Sequence, residues 1–210
     1  DLHHPDRGPN DIGFDYSYLV PDGHNMDPRY YLENGRVEGG IKRPYESNVK
    51  ILDRVGYKLL RHVPVGTWAN RRPDHEIGNR LADKADEFIE RHKDQPFFLY
   101  YPTCSIHGPQ KPDPRFVGKS GIGPHGDFVL EFDWAVGRIM HTLERLGLNE
   151  NTLLIVTSDN GGYRQIKPSG HRPTHPWKGF KDSAWEGGHR VPFIVRWPGH
   201  VKAHSISDQT

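Results

Sequence analysis

The segment LLIVTSDNGG, residues 153–162, decides the fold, because five apolar or β-branched residues lead directly into Asp159, Asn160 and two glycines. A buried strand that ends in an acid, an amide and a tight turn presents oxygen ligands at the carboxyl end of a sheet, where open α/β folds bind ligands. Oxygen donors of this kind suit a hard cation such as calcium or magnesium. Asn-Gly is equally typical of an ordinary turn, so the segment alone leaves both interpretations open.

Composition excludes several classes of protein. The chain has 210 residues, enough for one sizeable domain. Lys and Arg number 28 against 27 Asp and Glu, and this balance does not predict a nucleic-acid partner or a polybasic membrane surface. No apolar stretch reaches the length of about 18 residues that a transmembrane helix needs. The single cysteine, Cys104, excludes an internal disulfide and a cysteine-based zinc cluster.

Periodicity divides the chain into two regions. Residues 1–75 are rich in Gly, Pro and His and are predicted to be loop-rich, apart from a hairpin over 30–37 that turns at Asn34-Gly35. An α/β core is predicted over 76–200, as a largely parallel mixed sheet sandwiched by helices. Its predicted elements are a helix over 76–93, a buried strand over 96–103, a helix over 127–147, and strands over 152–157 and 192–199.

Two local expectations accompany these elements. The Arg71-Arg72 pair is interpreted as solvated, which is the usual state of arginine. The second helix is expected to stop near Gly147 and to bury a stripe of apolar residues, namely Val129, Phe132, Val136, Ile139, Met140, Leu143 and Leu146.

Chemically versatile side chains follow each predicted core strand. His107 comes shortly after the first strand, in a proline-stiffened loop, where it could transfer a proton or donate to an anion. Lys178 and Lys181 lie in the loop that leads to the last strand and could bind an oxyanion. Taken singly, His107 could equally be an ordinary loop histidine, and Lys178 and Lys181 could equally be solvated lysines. Together with Asp159, these residues describe an anion site with one metal.

The order of these segments resembles the type I sulfatases, the formylglycine-dependent branch of the alkaline phosphatase superfamily. The resemblance covers roughly residues 9–200, and the last two blocks are the most specific. The matching blocks are GFDY at 13–16, PFFLYYPTCSIHGPQKPDPRF at 96–116, GLNENTLLIVTSDNGG at 147–162 and KGFKDSAWEGGHRVPFIVRWPG at 178–199.

The resemblance implies hydrolysis of a sulfate monoester, in a sulfated small molecule or a sulfated glycan. It implies that Asp159 and Asn160 are two of the ligands of a calcium ion, with magnesium the less favoured metal. His107 would contact the sulfate or its leaving-group oxygen, Lys181 would bind the ester oxygens, and Lys178, at a position often held by Arg, is the weaker candidate. The resemblance to this family also implies a periplasmic or secreted protein, or a lysosomal one in a eukaryote.

The departures from the family pattern are informative. The nucleophile motif Cys/Ser-x-Pro-x-Arg, which matures to formylglycine, is absent from the 210 residues, and Cys104 lacks its Pro and Arg. We therefore expect the chain to be the middle-to-C-terminal part of a catalytic domain, inactive when isolated, with the nucleophile on a missing N-terminal part. A phosphoesterase or phosphonate hydrolase of the same superfamily, and a noncatalytic calcium- or glycan-binding descendant, remain as alternatives.

Overall fold

The computed structural model describes residues 8–21, 23–24, 29–39, 45–52, 58–65, 72–164 and 169–207. Within these ranges the helices are α1 (Ile77–His92), α2 (Pro124–Arg145) and the short α3 (Glu186–His189). The strands are β1 (Tyr18–Leu19), β2 (Leu32–Glu33), β3 (Arg36–Val37), β4 (Tyr45–Leu52), β5 (Lys58–Val65), β6 (Leu154–Thr157) and β7 (Phe193–Arg196). This mixture of helices and strands confirms an incomplete α/β domain. No helix in the described ranges is long and apolar enough to cross a membrane.

Helices α1 and α2 pack against each other and form the core. Ala85 and Ile89 of α1 contact Ile139 and Leu143 of α2 in one buried cluster. At the edge of this contact, Arg138 of α2 reaches two acids of α1, with 2.7 Å to Asp83 and 2.6 Å to Asp86. The predicted helix over 76–93 is thus confirmed almost to the residue, because its apolar spacing matched the face that is buried.

The buried face of α2 differs from the predicted stripe. Ile139 and Leu143 are buried as expected, but Val129 is 37% exposed, and Glu131 lies inside with only 1% exposure. The residues that face α1 follow the i, i+4 line through Glu131, Ala135, Ile139 and Leu143, so the helix is rotated relative to the apolar stripe. The predicted stop is confirmed, since Gly147 adopts a left-handed φ of 70° after the last turn.

The segment 96–103 is extended but has no strand partner among the described residues. Its side chains alternate as in a strand: Phe97, Leu99 and Tyr101 pack against the helix core, whereas Phe98 and Tyr100 are 74% and 67% exposed. The side chains alternate with the period of a strand, but no strand forms over 96–103 in the described structure and the segment is only half buried, so the predicted buried strand is wrong. One face is covered by α1 and α2, and the other is open.

Strands β6 and β7 pair antiparallel, with Ile155 opposite Val195 and Thr157 opposite Phe193. The sequence predicted a largely parallel mixed sheet, and β6–β7 is an antiparallel pair, which a mixed sheet accommodates. A parallel pair needs a crossover that carries the chain back along the sheet, and the described part of the loop between β6 and β7 contains only the four-residue α3. The loop consequently begins and ends at one edge of the sheet, the edge where Asp159 lies.

The region before α1 contains more strand than predicted. The hairpin at Asn34-Gly35 is confirmed, with φ values of 49° and 73° that both lie in the left-handed region a tight two-residue turn requires. Asn34 also accepts a hydrogen bond from Ser17 N at 2.9 Å, which ties the hairpin to the preceding segment. The antiparallel pair β4–β5 was not predicted, because its polar sequence has weak alternation.

Candidate functional site

The loop after β6 places Asp159 and Asn160 at the edge of the sheet. Ser158 Oγ donates to Asn160 O at 3.0 Å, and Asn160 Nδ2 donates to Gly161 O at 3.0 Å. Because its amide nitrogen is used in this way, Asn160 keeps Oδ1 as an available acceptor. Asp159 is exposed, and within the described residues no cation pairs with its carboxylate.

These two side chains match the donor chemistry of a calcium site. A carboxylate and an amide oxygen are hard ligands, and neither is occupied by a competing cation from the described residues. Calcium binds six to eight oxygens in proteins, so the pair supplies only part of a coordination sphere. In the described ranges no cluster of three or more His, Cys, Asp or Glu side chains could hold a metal alone.

Gly161 brings the metal-side loop against α3. Its N–H donates to Gly188 O at 2.9 Å, and a Cβ at this position would collide with the backbone carbonyl of Gly187. Only glycine allows two backbone segments to approach this closely. Within the Glu-Gly-Gly turn, Glu186 forms an ion pair with Arg190.

The two candidate lysines have different surroundings. Lys181 N donates to Gly162 O at 2.8 Å, which holds its backbone next to the loop that carries Asn160. Lys178 is exposed, and its Nζ lies 3.4 Å from the centre of the Trp185 ring. A cation over an indole face is stabilised where it is. The backbone of Lys181 is therefore fixed beside the loop of Asn160, whereas the ammonium of Lys178 contacts Trp185; the preference for Lys181 as the anion ligand stays a prediction.

His107 lies in the loop after the extended segment 96–103, and its side chain is exposed. Its Nδ1 is 2.7 Å from Gly108 O. A carbonyl oxygen only accepts, so Nδ1 carries the hydrogen and Nε2 is the nitrogen left to act on a ligand. In the protonated ring that nitrogen is a donor and acid, which is the chemistry predicted for it.

Aromatic and imidazole rings surround this loop. The His24 ring lies 5.8 Å from the His107 ring, edge to face, and its Nε2 contacts Pro109 O at 2.9 Å. Tyr163 lies edge-on between His107, at 6.4 Å, and His125, at 6.2 Å. Burial lowers the pKa of both His24 and His125, so these two rings are neutral at neutral pH and act as packing partners.

Glu131 is a structural acid beneath the His107 loop that sequence reasoning missed. Its two oxygens accept hydrogen bonds from Ser105 Oγ at 3.0 Å and from Asp113 N at 2.6 Å. Burial raises the pKa of its carboxyl group. The side chain therefore joins both ends of the segment that carries His107 to helix α2. Its i, i+4 spacing from Ala135 was the available signal.

Arg72 corrects the expectation of a solvated pair, while Arg71 lies outside the described residues. Arg72 is only 4% exposed; it donates to His24 O at 2.9 Å and pairs with Asp74 at 3.6 Å. Carbonyls and one carboxylate replace the water that an arginine needs. Nearby, burial raises the pKa of Cys104 to about 11. Its thiol thus stays protonated at neutral pH, which agrees with the interpretation that it is not a nucleophile.

The structure brings three predicted loops together through the hydrogen bonds of one short segment, residues 161–163. Residues 161–163 contact Gly188 through Gly161, Lys181 through Gly162, and Gly108 through Tyr163, whose Oη accepts the Gly108 N–H at 2.8 Å. The segments carrying Asp159, Lys181 and His107 are therefore neighbours. The backbone contacts therefore place the segments that carry the predicted oxygen ligands, lysine and imidazole next to one another.

Comparison with known proteins identifies the family. The sulfatase family model matches residues 26–210. An N-acetylgalactosamine-6-O-sulfatase of Bacteroides thetaiotaomicron is 39% identical over 91% of this chain and 44% of its own length. The steryl-sulfatase of Rattus norvegicus is 44% identical over 60% of this chain and 22% of its own length.

Solved structures agree with the sequence comparisons. A 6S-sulf chain, from work on glycosaminoglycan metabolism by Bacteroides thetaiotaomicron, superposes with a TM-score of 0.80 at 36% identity, over 96% of this chain and 49% of that one. The PsFucS1 sulfatase of Pseudoalteromonas sp. gives a TM-score of 0.55 at 36% identity over 60% of this chain and 25% of its own. The present chain spans about half the length of the relatives that it matches over most of its residues. It belongs to the sulfatase family, within the alkaline phosphatase superfamily.

Proposed function

We propose that these residues form part of the catalytic domain of a sulfatase, which hydrolyses a sulfate monoester at the edge of the sheet that follows β6. The observation that carries the proposal is the contact of residues 161–163 with both flanking loops. Through it, Lys181 and His107 are held beside the loop of Asp159 and Asn160. Hydrolysis of a sulfate ester needs positive charge around the sulfuryl oxygens and an acid near the leaving oxygen, and the three loops supply groups of both kinds.

Asp159 and Asn160 would hold a calcium ion, with further ligands from outside the described residues. Calcium tolerates irregular oxygen shells, whereas magnesium demands a near-ideal octahedron, so calcium is the preferred metal. When bound, it supplies positive charge for the sulfate oxygens. Within this chain, the exposed Asp159 carboxylate provides the negative charge that holds the cation.

The nucleophile would be a formylglycine supplied from outside these 210 residues, because the Cys/Ser-x-Pro-x-Arg motif does not occur in them. Cys104 does not replace it, since burial raises the pKa of its thiol to about 11. We therefore propose that residues 1–210 alone do not turn over a sulfate ester. Their contribution is to bind and orient the substrate and to assist the leaving group.

His107 and Lys181 have distinct roles in this proposal. With Nδ1 donating to Gly108 O, His107 presents Nε2 to the ester and in its protonated form gives a proton to the departing alcohol oxygen. The Lys181 ammonium binds the sulfuryl oxygens and balances their charge. Lys178, whose ammonium lies over Trp185, would contribute a more distant charge.

The proposed substrate is a sulfated sugar, alone or within a glycan, with other sulfated small molecules as further candidates. The relative that aligns over 91% of this chain is named for a sulfated amino sugar, whereas the relative named for a sterol sulfate aligns over 60%. A net charge of +1 offers no extended basic surface for nucleic acid. A periplasmic or secreted location, or a lysosomal one in a eukaryote, accompanies the proposal as a family habit.

Parallel assays of the full-length protein that carries these residues test the proposal. An aryl sulfate, a sugar 6-sulfate and the matching aryl phosphate are each incubated with and without a calcium chelator. Calcium-dependent sulfate release, together with no release by residues 1–210 alone, is expected. Faster release of phosphate would instead identify a phosphoesterase, and calcium binding without any turnover would identify a noncatalytic binding protein.

A further inference from the structure

Tyr163 joins the loop of Asp159 and Asn160 to the loop of His107. It follows Asn160 by three positions in the chain, and its Oη accepts a hydrogen bond from Gly108 N at 2.8 Å. The approach is close: a Cβ on Gly108 would lie 2.9 Å from the same oxygen. The side chain at position 163 therefore meets the backbone of the opposite loop directly, at the residue next to His107.

The side chain of His107 and the hydroxyl of Tyr163 both contact the backbone of Gly108. Gly108 uses its N–H for Tyr163 Oη, and its carbonyl oxygen accepts from His107 Nδ1 at 2.7 Å. A rotation of the Gly108 backbone would thus move the acceptor that fixes the imidazole. His107 and Tyr163 also meet directly, with ring centres 6.4 Å apart and planes inclined by 62°.

The tyrosine is itself supported from helix α2. His125, in the first turn of α2, also packs edge-on with Tyr163, with ring centres 6.2 Å apart and planes inclined by 89°. His125 is buried and packs against the Tyr163 ring. Tyr163 therefore contacts helix α2 through His125, the imidazole of His107, and the Gly108 amide through its hydroxyl.

We propose that Tyr163 is a positioning residue, which aligns His107 Nε2 with the leaving-group oxygen by holding the backbone of Gly108 through its N–H, so that the Gly108 carbonyl keeps the imidazole in place. This inference rests on the proposed function of His107, and it assigns to Tyr163 no contact with the substrate. Misplacing a catalytic group by about 1 Å can cost a factor of about a hundred in rate. Loss of the Tyr163 hydroxyl should therefore weaken acid assistance while leaving binding of the sulfate group intact.

The variant Tyr163→Phe removes one oxygen atom and is compared with Tyr100→Phe, which removes the same atom from an exposed ring on the open face. In the full-length protein, kcat/KM is measured for sulfate esters whose leaving groups range from 4-nitrophenol to an unactivated sugar alcohol. Acid assistance matters most for the poorest leaving group. Tyr163→Phe should lower that rate at least about tenfold, a factor that corresponds to about 1.4 kcal/mol, and should leave the nitrophenyl ester nearly unchanged.

The inference would be overturned if Tyr163→Phe lowered kcat/KM by the same factor for all leaving groups, or did not change it at all. The control variant Tyr100→Phe should have the kcat/KM of the parent for every ester. If the parent protein itself hydrolyses no sulfate ester, the proposed function fails instead. A second readout does not need turnover: hydrogen exchange of the Gly108 amide in the full-length protein. The amide should be protected in the parent and in Tyr100→Phe and should exchange faster in Tyr163→Phe. An unprotected Gly108 amide in the parent would contradict the inference even if the Phe variant did not fold.

Discussion

The buried carboxylate of Glu131 yields the most quantitative prediction. Truncation in Glu131→Ala leaves the Asp113 N–H and the Ser105 hydroxyl without their acceptor, although Ser105 retains Thr103 as a neighbour at 3.3 Å. Each unsatisfied buried group costs about 1–3 kcal/mol. The substitution also removes the cost of burying the Glu131 carboxylate, and this gain offsets part of the loss. We expect the free energy of unfolding to fall by about 2–3 kcal/mol, measured by urea denaturation of residues 1–210.

The isosteric variant Glu131→Gln separates hydrogen bonding from charge. Its amide oxygen can accept from Asp113 N and its amide group can donate to Ser105 Oγ, so at low pH its stability should lie within about 1 kcal/mol of the parent. Burial raises the pKa of Glu131 above the value of 4.5 for a free side chain. The parent therefore loses stability, relative to the variant, as pH rises from 4.5 through that raised pKa.

Urea titrations at several pH values, followed by tryptophan fluorescence, measure this difference. Glu144→Gln, on the exposed side of the same helix, serves as the matched control and should show no comparable trend. The reasoning is refuted if Glu131→Ala is as stable as the parent. It is also refuted if the difference between Glu131→Gln and the parent is independent of pH or favours the parent more as pH rises.

Two further changes test the loops around the site. Gly161→Ala puts a methyl group into the backbone of Gly187 and should lower the free energy of unfolding by about 1–3 kcal/mol; a loss below about 0.5 kcal/mol in urea denaturation would show that the loops separate easily. Lys181→Met in the full-length protein should lower kcat/KM for an aryl sulfate by about 10²–10³, whereas Lys178→Met, which removes the cation over Trp185, should have a smaller effect. Equal losses would contradict the different roles of the two lysines.

The sequence predicted those parts of the fold in which local pattern and tertiary packing agree. Helix α1 has apolar residues only on the side that is buried, so its bounds and its face were both predictable. The Asn34-Gly35 turn was equally clear, because that residue pair favours the left-handed conformations that a tight hairpin needs.

Prediction failed where long-range packing overrides local pattern. The rotation of α2 buries Glu131 and exposes Val129, and it depends on partners in the His107 loop that are distant in the sequence. The pairing direction of β6 and β7 depends on the path of a long loop, and an apolar run does not encode it. Arg72 likewise looks like any surface arginine until carbonyls distant in the sequence surround it.

The candidate site shows the same division. Asp159, Asn160, His107 and Lys181 could be named from the resemblance, because each lies in a short block with a recognisable order. The contacts that join these blocks could not be predicted, since Tyr163 and Gly161 contact residues that are distant in the sequence. In the sequence alone, neither a tyrosine nor a glycine at these positions indicates that it joins the loops of the site.

The most direct test of the account is the rate of sulfate release by the full-length protein when Asp159 is changed to Asn. The substitution keeps the size of the side chain and removes the negative charge that would hold calcium. We predict that kcat/KM for an aryl sulfate falls by at least about 10² and that the calcium concentration required for activity rises. Turnover at the parental rate with an unchanged calcium requirement would contradict the assignment of the loop after β6 to the metal and sulfate site.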